Sequence, residues 1–153
     1  MIRPMRQDEA STLAPQFAPL LPWLPQGTLY AMMRFRYERR WFFVAERDGE
    51  VVGIGAYGPL GDSRRHWLLG PAATLPTHRG KGVGTELIKA RMDVIRVAVA
   101  ALGMVADGMP DALIYVSSKR PLTWVRFGFA VVAERDGSSI LRRDLSLALE
   151  VGR

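Results

Sequence analysis

At 153 residues the chain has the size of one domain able to bury a well-filled core, and its 48% hydrophobic and 24% charged residues exclude a disordered chain. No cysteine is present and only His66 and His78 could supply imidazole, which excludes a disulfide framework, a thiolate nucleophile and a three-histidine zinc site, so no metal is expected. The net charge of +6 and a pI near 10.3 favour an anionic ligand without choosing among nucleic acid, a phosphate cofactor and an acidic substrate.

Residues Ile2 to Arg6 read as a short first strand, followed by Asp8 as a helix N-cap. Pro15, Pro19, Pro22 and Pro25 then forbid a long regular helix, because each removes a backbone donor and crowds the preceding turn. Thr28 to Arg40 has helical composition and carries arginines at 34, 36, 39 and 40. Trp41–Arg47 and Glu50–Tyr57, joined through Asp48-Gly49, predict a hairpin, since the turn needs positive φ at both central residues. His66 to Leu75 reads as a strand interrupted at Gly70-Pro71, where proline is unable to donate to a ladder and a bulge or kink is expected.

From Gly82 to Leu102 the pattern turns helical. Leu87, Ile88, Ile95, Val99 and Leu102 recur on one face, with Glu86, Lys89, Arg91, Asp93 and Arg96 largely elsewhere and Gly103 placed as a C-cap. Ala112 to Ser117 is a short strand, Pro121 opens a short helix to Phe127 that Gly128 stops, and Phe129–Ala133 pairs with Ser139–Leu145 around Asp136-Gly137. That order predicts a single domain over residues 1–153 with a mixed sheet and helices on its faces.

The diagnostic chemistry sits between a strand and the long helix, in Arg79-Gly80-Lys81-Gly82-Val83-Gly84-Thr85. Glycines let the backbone curl tightly, the first-turn amides and the positive helix end face outward, and Arg79 and Lys81 add charge, so the turn is suited to an anion such as a pyrophosphate. A triphosphate-binding loop would need Lys81 after the last glycine, and a dinucleotide fingerprint would need glycine where Thr85 stands.

The spacing that fits is Arg-x-x-Gly-x-Gly, carried by Arg79, Gly82 and Gly84. With Pro76 ending the preceding strand and Trp124-Val125-Arg126-Phe127-Gly128-Phe129 further on, the chain resembles the GNAT superfamily of acetyl-coenzyme A-dependent N-acetyltransferases from about residue 1 to 145. The resemblance implies an α+β fold with mixed αβα layers, whose central, twisted, mostly antiparallel sheet splays between the fourth and fifth strands and is flanked by helices. It implies acetyl-CoA as cosubstrate, with its pyrophosphate on the amides of Gly80, Lys81, Gly82, Val83, Gly84 and Thr85 beside Arg79, and its pantetheine arm along Ala72, Ala73 and Thr74. Ser117 stands at the position of an asparagine and Trp124 at that of the family's tyrosine proton donor. Indole is no acid, although it can pack the coenzyme. Leu113 occupies the place of a glutamate base that some members use, so Tyr115 and His66 are the candidate catalytic residues, with Tyr57 a further possibility.

The reaction implied is direct attack of an amine on the acetyl group, the acceptor being a small molecule or a peptide. Arginines 34, 36, 39 and 40 suit an acidic acceptor and equally a solvated helical face. A non-catalytic acyl-CoA-binding sensor is the alternative that Trp124 and Leu113 suggest; a basic nucleic-acid-binding module rests on charge alone, and no nucleic acid is expected. The longest apolar run, Val97 to Ala106, is too short to span a bilayer, and Arg3-Pro4 leaves no signal-peptide core, so no membrane association and a cytoplasmic location are expected. A homodimer is left open.

Overall fold

The structure is a computed structural model that describes residues 1–102 and 110–146. Among the described residues, seven strands form one mixed sheet in the order β1-β2-β3-β4-β5-β7-β6. They are β1 (Ile2–Pro4), β2 (Trp41–Arg47), β3 (Glu50–Pro59), β4 (His66–Thr74), β5 (Ala112–Ser118), β6 (Ala130–Arg135) and β7 (Ser138–Leu145). The helices are α1 (Ala10–Phe17), α2 (Thr28–Phe35), α3 (Val83–Leu102) and α4 (Pro121–Val125). The chain divides into two compact units, Met1–Gly58 with Pro71–Asp93 and Pro59–Gly70 with Val94–Arg153.

In the first unit, β1 and β3 flank β2 antiparallel, with Ile2 opposite Ala45 and Trp41 opposite Tyr57. Asp48 and Gly49 both have positive φ, 53° and 78°, as the tight hairpin requires. Strand alternation sends Phe42, Val44, Ile54 and Ala56 into a core with Leu13, Phe17, Leu29 and Met33 of α1 and α2. Gly53 and Gly55 point the other way, toward α3, and their lack of a side chain lets that helix come close. Val83 and Leu87 pack there with Ala45 and Val52, and burying each of those two helix side chains is worth about 1.5–3 kcal/mol.

Arg3 laces the start of the chain. It forks onto both carboxylate oxygens of Glu9 at 2.7 and 2.8 Å and also donates to Glu46 at 2.7 Å. The first helical turn differs from expectation: Gln7–Glu9 form a 3-10 turn and Glu9, not Asp8, is the N-cap of α1. Glu9 makes no side-chain cap bond to α1; its carboxylate instead takes the Arg3 fork and the Arg6 N–H, which donates to it at 2.9 Å. Pro15 lies inside α1, which runs only eight residues. Helix α2 also stops early, at Phe35, because Arg36, Glu38 and Arg39 adopt left-handed backbone before β2 begins.

In the second unit, β5 and β6 each pair antiparallel with β7, while residues 66–68 of β4 pair in parallel with 113–115 of β5. That parallel ladder ends at Leu68 opposite Tyr115, two residues before Gly70, whose φ is 131°. Such an ending is the splay expected between the fourth and fifth strands. Ala112, Ile114 and Val116 are buried, and Trp124 of α4 lies edge-on to Phe129 with centroids 5.4 Å apart. Helix α4 ends at Val125, two residues short of the expected Phe127, with Gly128 at φ 88° as the stop. The C-cap expected at Gly103 lies outside the described residues. Among the described residues, no helix is long and apolar enough to cross a membrane.

Candidate functional site

Strand β4 leaves the sheet at Thr74, and a 3-10 turn over Pro76–His78 carries the chain to the glycine-rich segment. Leu75 N–H donates to the Val52 carbonyl at 2.8 Å, and Leu75 packs under both clusters of the first unit. Arg79 then reaches back, its Nε donating to the Thr74 carbonyl at 3.3 Å. The guanidinium is thereby held beside the last residues of β4.

Gly80 and Gly82 have φ of 75° and 84°, a conformation that costs an L side chain energy and glycine almost nothing. Val83 is buried under the sheet, while Gly80, Lys81, Gly82 and Gly84 are exposed. A side-chain carbon at Gly80, Gly82 or Gly84 would meet nothing within 4 Å, so the space over these positions is open. The first bond of α3 to this segment is Glu86 N–H to the Gly82 carbonyl at 3.0 Å. The amides of Val83 and Gly84 precede it, in the turn where a helix supplies no acceptor of its own. A 20-residue helix therefore presents its positive end, an exposed Lys81 and the tethered Arg79 in one place. An oxyanion or a diphosphate fits this donor set.

The first unit thus brings together Ala72 to Thr74 and Arg79 to Thr85. Ala72 is exposed and Ala73 and Thr74 are half-buried. In the second unit, His66 and Tyr115 lie on one face with ring centroids 6.1 Å apart and planes inclined by 22°. His66 Nδ1 is 2.5 Å from Ser63 Oγ, which fixes the ring. Ser117 is exposed at the end of β5, and Trp124 is buried against Phe129. Tyr57 belongs to the first unit, stacked between Trp41 and Phe43, where burial raises its hydroxyl above the ordinary value. Among the described residues, no cluster of three or more His, Asp or Glu side chains is placed to hold a metal ion.

Residues 5–104 match the Acetyltransferase (GNAT) family. The chain belongs to the GNAT acetyltransferase family. Its fold is that of solved GNAT proteins at low sequence identity. A GNAT-family protein from Desulfovibrio desulfuricans is 17% identical with a TM-score of 0.71, covering 94% of this chain and 98% of that one. A ribosomal-protein-alanine N-acetyltransferase from Brucella melitensis is 17% identical with a TM-score of 0.68, covering 95% and 99%. A Salmonella typhimurium protein solved with its cofactor acetyl-CoA is 16% identical with a TM-score of 0.68, covering 95% and 94%. No curated protein sequence matches the chain.

Two features of this GNAT chain escaped sequence reasoning. Arg91 was expected on the polar face of α3 and is instead 2% exposed, lodged against Gly55. Three left-handed residues, Arg36, Glu38 and Arg39, terminate α2 without any glycine to announce them. In both cases a non-local contact or a local strain overrode residue-type preference.

Proposed function

We propose that residues 1–153 form a single N-acetyltransferase domain that transfers the acetyl group of acetyl-CoA to a primary amine of a small molecule or peptide. The observation that carries this is the open backbone nest from Gly80 to Thr85 at the start of α3, with Arg79 tied to Thr74. The coenzyme supplies an acetyl group already activated as a thioester. Amides 80–85 and the side chains of Arg79 and Lys81 bind the pyrophosphate, and the β4 backbone from Ala72 to Thr74 pairs with the pantetheine arm. A backbone N–H near Thr74 polarises the thioester carbonyl, which requires no particular side chain.

Proton transfer falls to Tyr115 and His66, held ring to ring, with the imidazole accepting the amine proton and the phenol donating to the departing sulfur. Ser117 offers a hydroxyl from the end of β5. Trp124 has no acidic proton to give. That last point favours one second reading, an acyl-CoA-binding GNAT protein without transferase activity.

Titration calorimetry with acetyl-CoA, repeated on Gly82→Asp and Gly84→Asp, tests the coenzyme site. Wild-type binding that weakens at least about a hundredfold in the variants supports it, because each carboxylate both fills the open space and repels phosphate. Unchanged binding overturns it. Thiol release from acetyl-CoA in the presence of an amine panel separates the enzyme from the non-catalytic binder.

A further inference from the structure

His66 opens β4 at the end of a loop whose backbone is pinned to the sheet. The His66 carbonyl accepts from Leu60 N–H at 2.8 Å, which closes residues 60–66, and the Arg65 carbonyl accepts from Leu113 N–H of β5 at 2.7 Å. Arg65 N–H in turn donates to Ser63 Oγ at 3.1 Å. Ser63 Oγ is thereby held in place relative to β5, the strand that carries Tyr115.

His66 Nδ1 lies 2.5 Å from that oxygen, and the ring stacks on Tyr115. A serine hydroxyl has one proton and two lone pairs, and Arg65 N–H occupies one of the pairs. Two arrangements remain. Either the second lone pair accepts from Nδ1–H, or the hydroxyl proton is donated to Nδ1. In a neutral ring only the first leaves a lone pair on Nε2; the second puts the ring proton there, and Nε2 then has nothing with which to accept. Among the described residues, none hydrogen-bonds Nε2, so this nitrogen is the one left for an incoming group.

We infer that Ser63 is a positioning residue for His66: its Oγ accepts from Nδ1–H and so keeps the lone pair on Nε2. Resting on the transferase reading above, this makes Nε2 the atom that takes the amine proton. In that step an N–H bond of the amine breaks and an N–H bond at Nε2 forms, leaving the amine nitrogen with the electron pair that attacks the acetyl group. The same Ser63 bond serves before and after, because Nδ1 carries a proton in the imidazole and in the imidazolium alike. The opposite arrangement would oblige the hydroxyl to turn round during proton transfer.

The test is nitrogen-15 NMR of the imidazole rings in the full chain, at a pH where the rings are neutral, beside thiol-release kinetics with acetyl-CoA and an accepted amine. The chain has two histidines, and His78→Gln assigns their signals. Wild-type His66 is expected to show a protonated Nδ1 and a lone pair on Nε2. Ser63→Ala should shift the ring toward the Nε2–H form and lower kcat about tenfold, with acetyl-CoA affinity within about twofold of wild type. Ser63→Thr, which keeps the hydroxyl, should restore both the ring signature and kcat. A wild-type ring with its proton on Nε2 overturns the inference, and so does a Ser63→Ala variant whose ring signature or kcat is that of wild type. If the wild-type protein releases no thiol with any amine, the transferase reading fails by itself, and the ring signals still decide whether Ser63 sets the state of His66.

Discussion

Gly53→Ala tests how the sheet sets the proposed phosphate site. Its added methyl would stand 2.7 Å from Val83 Cγ1 and 3.1 Å from Leu87 Cδ1. Val83 opens α3 and, being β-branched within a helix, has one strongly preferred rotamer, so it is unable to swing aside cheaply. Restoring ordinary contact at about 3.4 Å therefore moves the first turn of α3 outward by about 0.7 Å. Overpacking of this kind costs about 1–3 kcal/mol in stability. The amides of Gly82 to Thr85 ride on that turn, and a shift of this size spoils charge-assisted hydrogen bonds, with acetyl-CoA affinity expected to fall about tenfold. Urea denaturation measures the first quantity and calorimetric titration the second. Loss of stability with unaltered affinity would refute the proposed link between helix seating and coenzyme binding, and unaltered values of both would refute the packing argument itself.

The Arg3 fork predicts a pH signature. Its hydrogen bonds hold the Glu9 carboxyl at about 2, down from an ordinary 4.5. The stabilisation is then fully present above pH 4.5 and disappears as the pH falls toward 2. Glu9→Gln should cost about 1–2 kcal/mol at pH 7, after allowance for solvent screening, and almost nothing near pH 2, as read from urea midpoints; a cost that does not vary with pH would contradict the assignment. For the proton-transfer pair, Tyr115→Phe and His66→Ala are each expected to lower kcat at least about tenfold while leaving acetyl-CoA affinity within about twofold of wild type. Full activity in both variants would remove the pair from the mechanism.

What could be read in the sequence was local in cause. Asp48-Gly49 between two β-prone runs leaves few alternatives to a hairpin, and the Leu87, Ile88, Ile95, Val99 stripe describes α3 directly. Gly70-Pro71 announced an irregular β4 because a missing donor is a property of the residue itself. The GNAT pattern from Arg79 to Gly84 placed the candidate site at a turn where the structure opens space over a helix start.

The remainder depended on partners distant in the chain. An arginine at helical position 91 reads as solvated, and only a glycine and a carbonyl acceptor on β3, at Gly55 and Ala56, turn it into a buried donor. Asp8 is a better N-cap by residue type than Glu9, yet a 3-10 turn over Gln7–Glu9 precedes α1, and the Glu9 carboxylate is taken up by Arg3 of another element. The left-handed residues after α2 had no signal, since arginine and glutamate seldom adopt that conformation. Trp124 is buried with its ring edge-on to Phe129, a contact that residue type did not announce.

Backbone amide NMR during titration with acetyl-CoA is the most direct measurement of the central claim, because it reports the N–H groups themselves. The account predicts that the largest shift changes fall on Gly80 to Thr85, with a second set at Ala72 to Thr74. Changes confined to other segments, with these amides unmoved at saturating acetyl-CoA, would contradict it.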